Sequence, residues 1–73
     1  MEFCKDVFAA RVRSKRAEVD LSQDALAEKA GVSADTVVKY EGGLRVPGSD
    51  TLVKLAQALG TTPDYLLGWP SAV

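Results

Sequence analysis

Arg11, Arg13, Lys15 and Arg16 fall within six consecutive positions, a density of positive charge that suits a solvated helix face or a grip on an anionic partner. Arg16 is the odd member. It stands in a stripe with Phe8, Val12 and Val19, spaced i, i+4, i+8 and i+11, where a helix places apolar groups. A guanidinium turned toward a core needs a partner, because an unpaired buried charge costs several kcal/mol, about 3 or more.

The chemistry that is missing narrows the field further. The sequence holds no histidine and one cysteine, Cys4, so the commonest general base and metal ligand are absent and neither a disulfide nor a Cys-rich zinc site can form within the chain. Gly42-Gly43 follows a predicted helix and ends it, which is not the setting of a phosphate-cradling loop. We therefore expect no catalytic residue, no metal and no cofactor. At 73 residues the chain makes one small domain, and domains of that size bury only about 60% of the surface of the unfolded chain.

The elements that must position the charged groups are all helical. No alternating pattern of useful length predicts a strand. The spacing predicts a first helix from about Asp6 to Val19, with Arg11, Arg13 and Lys15 facing outward. Ser22 caps a second over residues 23–30, and Gly31 stops it; Ser33 caps a third over residues 34–41. After a loop over residues 42–48, Asp50 is expected to cap a fourth helix from Thr51 to Leu59. Thr62 caps a fifth from Pro63 to Leu67, with proline at its favoured first position. The domain core spans about residues 6–68.

Composition sets the remaining bounds. Hydrophobic residues at 47% and charged residues at 26% are ordinary for a globular domain, and the net charge of −1 gives no global hint of an anionic partner. The N-terminal residues lack the pattern of a signal peptide, and no apolar run approaches the roughly 20 residues of a membrane span. We expect a soluble, cytoplasmic protein with no membrane contact and no small-molecule ligand.

Only Gly31-Val32-Ser33 separates the second and third helices. That spacing suits two helices crossing steeply, a helix-turn-helix over about residues 22–41, or an all-α bundle with a tight corner. The wording around it resembles the phage Cro and lambda-repressor-like helix-turn-helix family. Leu21-Ser22-Gln23, Leu26-Ala27, Gly31-Val32-Ser33, Thr36-Val37, Tyr40-Glu41-Gly42-Gly43, Leu55-Ala56, Leu59-Gly60 and Asp64-Tyr65-Leu66-Leu67-Gly68 carry the likeness in order and at the family spacing, with Pro47 and Leu52 between them. It covers about residues 8–68.

The resemblance implies an all-α, compact five-helix DNA-binding domain and assigns roles to individual positions. Leu26, Ala27, Val32 and Val37 would be structural, with the small Ala27 at the helix crossing. The partner of Arg16 would be Glu41, and the pair would lock the first helix to the third. Gln23 resembles the family's phosphate-binding glutamine, and Ser33 would add a phosphate contact to its capping role. Ala34, Asp35, Thr36 and Lys39 would face the major groove: Lys39 toward guanine, Thr36 toward a base or phosphate, Ala34 toward a thymine methyl. Asp35 departs from an all-attractive surface; it would accept from cytosine or serve only the helix dipole. Arg13 and Arg45 are candidate phosphate clamps, with a solvated face the alternative for Arg13.

The implied function is sequence-specific binding of double-stranded DNA by a transcriptional regulator, a repressor by operator occupancy, acting as a homodimer on a palindrome. Tyr65, Leu66, Leu67 and Trp69 are the dimer candidates, or else a lid on the core. The competing expectation is a protein-interaction module of the same fold, antitoxin-like or an antagonist, favoured by a sequence pI near 5.2 together with Ala34 and Asp35.

Overall fold

The computed structural model describes residues 4–68, and the dimer candidate Trp69 lies outside them. Five helices follow one another: α1 over Lys5–Glu18, α2 over Gln23–Ala30, α3 over Ala34–Glu41, α4 over Ser49–Leu59 and α5 over Pro63–Leu67. No strand forms among the described residues. Helix starts obey local chemistry. The Ser22 hydroxyl accepts from the Ala25 amide at 3.0 Å, Ser33 from Thr36 at 3.1 Å and Thr62 from Tyr65 at 3.2 Å. Each satisfies an amide that the helix itself leaves without a partner.

Two sequence expectations are corrected. Gly48, not Asp50, is the N-cap of α4, and Asp50 lies inside the first turn, where its charge favours the positive end of the helix. Val19 leaves the apolar stripe: α1 ends at Glu18, the chain turns through Asp20 at φ 57°, and Val19 is 42% exposed. Aspartate tolerates that left-handed conformation better than most residues with a side chain.

α2 packs against both α3 and α4, while α1 runs beneath α3 and α5. Phe8, Val12, Leu26, Val37, Leu55, Leu59 and Leu66 are the large side chains sealed at the centre. The Phe8 and Tyr40 rings meet edge to face, 5.9 Å between centroids at 80°, and so join α1 to α3. Ala27 and Ala30 are buried with them, small enough for α2 to lie close to its neighbours, and Val32 packs half-buried on the same cluster.

Gly68 ends α5 at φ +80°, and a Cβ built there would lie 2.8 Å from Cγ1 of Val7 in α1. Backbone strain and a clash with a short, stiff side chain act together. Gly68→Ala is expected to cost about 1–2 kcal/mol, read as a fall of about 5–15 °C in the thermal midpoint. A midpoint equal to that of the wild type would show that the α5–α1 contact gives way freely.

Candidate nucleic-acid interface

The turn between α2 and α3 is short because glycine lets it be. Gly31 takes the left-handed conformation at φ 71°, and the Val32 amide donates to the Ala27 carbonyl at 3.0 Å, closing α2 before Ser33 opens α3. α3 then divides into two faces. Val37, Tyr40 and Glu41 are buried, and Asp35 and Val38 are exposed, with Lys39 partly so and the exposed Gly42 following the helix as its C-cap.

The buried face is clamped by charge as well as by apolar contact. Glu41 is 5% exposed and accepts from Nε of Arg16 at 2.7 Å, from its Nη2 at 3.1 Å and from Nε2 of Gln23 at 3.2 Å. Arg16 also donates to the Leu21 carbonyl at 2.9 Å. Hydrogen bonding by Glu41, helped by its charge and opposed by burial, raises the Arg16 pKa above the ordinary arginine value. A base with a raised folded-state pKa stabilises the fold at every pH below its unfolded value and loses that contribution only as the pH climbs through the raised one. The Arg16 contribution is therefore complete at neutral pH. Arg16 and Glu41 thus form an ion pair between α1 and α3.

Other charges from the basic run are also engaged within the chain. Arg13 donates through Nη1 to the Glu41 carbonyl and so satisfies a C-terminal carbonyl of α3. Arg11 donates to the Tyr65 carbonyl at 2.7 Å and its guanidinium carbon lies 4.5 Å from the centre of the Tyr65 ring. Lys15 sits 5.1 Å from the same ring and pairs with Glu18 at 3.3 Å. Arg11 and Lys15, expected to face outward, instead lie half-buried over the end of α5.

Among the residues expected to read bases, Asp35 and Lys39 are neighbours one turn apart and form an ion pair at 3.1 Å. Thr36 is half-buried with its hydroxyl 2.8 Å from that of Ser33, so both take part in the cap. Ala34 is half-buried against the core rather than fully presented outward. Gln23 lies at the start of α2 with its amide turned to Glu41, and Arg45 is exposed in the loop after α3. α3 therefore brings Ser33, Asp35, Thr36 and Lys39 to one end of the fold with Gln23 tied to its base.

Val38, to which the sequence assigns no role, is 47% exposed on the outer side of α3. Its signal was available: once Val37 faces the core, the next residue is rotated by about 100° and leaves it. The dimer candidates are also rearranged. Leu66 is 0% exposed and belongs to the core, so it offers no surface; Tyr65 and Leu67 are half-buried, Tyr65 beneath Arg11 and Lys15. Among the described residues, the other exposed large apolar ones are Val19, Leu44, Val46 and Val53.

A helix-turn-helix family model matches residues 12–66. The transcriptional regulator PrtR of Pseudomonas aeruginosa is 41% identical over 61 residues, covering 84% of this chain and 23% of PrtR. The repressor RstR of a cryptic phage in Vibrio cholerae is 37% identical over 54 residues, covering 74% of this chain and 49% of RstR. The chain thus spans 23% of the length of one of these relatives and 49% of the other. Among solved structures, the c2 repressor of phage P22 in complex with a synthetic operator superposes with a TM-score of 0.80 at 33% identity, covering 82% of this chain and 91% of the other. The turn geometry, the five-helix core and these matches together place the chain in the phage Cro and lambda-repressor-like helix-turn-helix family, a family of transcriptional regulators rather than enzymes.

Proposed function

We propose that this chain binds double-stranded DNA in a sequence-specific manner, with α3 in the major groove, and represses transcription from the cytoplasm by occupying an operator. The observation that carries the reading is the division of α3: its inner face is anchored through Glu41 to Arg16 of α1, which leaves Asp35 and Lys39 outward on a rigid support. Likeness to a repressor solved on its operator supports the same docking.

In this reading Lys39 exchanges its pair with Asp35 for guanine O6 or N7, while Asp35 accepts from cytosine or keeps its role at the helix start. Thr36 and Ala34 make the closest contacts of the first turn. Gln23, Ser33 and Arg45 hold phosphates, and Arg13 acts chiefly by fixing the end of α3. One domain reads about half an operator, so a symmetric homodimer spans half-sites about 34 Å apart. Tyr65 and Leu67, together with the exposed Leu44, Val46 and Val53, supply its contact surface.

The net charge of −1 and the Asp35–Lys39 pair favour one other reading, a protein-interaction module of the same fold. Titration against random duplex DNA at rising salt decides between them. A binder with several phosphate contacts per protomer loses affinity about tenfold or more between 50 and 200 mM salt. Absence of binding at the lowest salt would reject the DNA reading.

A further inference from the structure

We infer that Val38 is a specificity-determining residue that reads the C5-methyl group of a thymine; the inference rests on the DNA-binding reading of α3 and adds a larger apolar reader to the set. Val38 is 47% exposed at the middle of an eight-residue helix. An isolated exposed valine on an ordinary helix needs no explanation. Its position separates it from that case. Asp35, three residues earlier, and Lys39, the next residue, lie on the same outer side and are joined at 3.1 Å, so Val38 stands beside the ion pair that faces the groove. Four residues further on is Gly42, which has no side chain to cover it, and Glu41 is turned into the core.

Valine at such a position weakens the helix, since a β-branched residue loses rotamer freedom there and gains little by burial. The same stiffness is useful at an interface: both methyl groups are held in one orientation before DNA arrives. In the major groove the base edges present donors, acceptors and one apolar group, the thymine methyl. A valine beside a paired lysine and aspartate has no polar edge to satisfy, and the thymine methyl is the group whose burial against it is favourable. The charges that flank it make this spot a poor centre for a protein–protein contact, whose core excludes charge.

The test begins by selecting bound sequences from a random duplex library with the full chain. Each thymine of the recovered half-site is then replaced by deoxyuridine, and the wild type and Val38→Ala are compared by equilibrium binding. One thymine per half-site should weaken wild-type binding by about threefold to tenfold when its methyl is removed, the range expected for burying about one methyl group. At that position Val38→Ala should bind the thymine and uracil duplexes equally. Circular dichroism should find that variant as helical as the wild type, because alanine is the better helix former and the site is exposed. Equal wild-type affinity for every uracil duplex, or sensitivity of Val38→Ala to the same thymines as the wild type, overturns the inference and leaves DNA binding intact. Failure to bind any duplex at low salt overturns both.

Discussion

Glu41→Ala should lower the thermal midpoint by about 10–20 °C, the equivalent of about 2–4 kcal/mol in a domain of this size. The loss follows from what remains behind. Glu41 accepts from Arg16 and Gln23 while almost wholly buried; without it, Arg16 keeps only the Leu21 carbonyl and Gln23 loses the acceptor that holds its amide. The Arg16 side chain is 24% exposed, so water recovers part of its solvation and the cost stays below that of a fully enclosed ion. Thermal denaturation followed by circular dichroism measures it, and an unchanged midpoint would refute the clamp. Combining Glu41→Ala with Arg16→Ala should cost less than the sum of the two, the signature of groups that act as a pair. On the proposed DNA-binding reading, affinity should fall along with stability, since the carboxylate holds the base of α3 against α1.

Phe8→Ala is expected to be at least as damaging. Phe8 is 0% exposed and meets Tyr40 edge to face, so removing the ring leaves a cavity where α1 supports α3. Substitutions of this kind cost about 3–5 kcal/mol, a large part of the about 5–15 kcal/mol that holds a typical domain together. The urea midpoint should fall accordingly, and much of the protein should be unfolded at body temperature. Phe8→Leu fills most of the space and should lose only about 1–2 kcal/mol. If Phe8→Ala unfolds at the wild-type urea concentration, the core is not centred on α1.

Both substitutions act on the junction of α1 with α3, and this junction was only half legible in the sequence. Arg16 was conspicuous because a charge in an apolar stripe requires a partner, and the family likeness pointed to Glu41. The apolar stripe itself was read one turn too far, since periodicity carries no information about the turn at Asp20 that exposes Val19. Asp50 was read as a cap because aspartate favours that position, yet an aspartate inside the first turn meets the same dipole, and composition does not distinguish the two. The candidate base readers Ala34, Asp35, Thr36 and Lys39 all lie on α3. Val38 carries no polar group to mark it, and its exposure shows only once Val37 is placed in the core.

Local chemistry by itself determined the all-α class, the order of the helices and most of their ends, because a cap joins groups three residues apart, as Ser22 and Ser33 do, and needs no other part of the chain. The tertiary structure alone decided which charges remain available. Arg16 meets Glu41 across 25 positions, Arg13 meets the Glu41 carbonyl across 28, and Arg11 reaches Tyr65 across 54. Contacts of that range follow from how packed helices bring their faces together, which periodicity along a single helix does not encode. Of the basic cluster that looks like a phosphate grip in the sequence, Arg13 and Arg16 brace the end of α3 in the fold, and Arg11 and Lys15 lie over the end of α5.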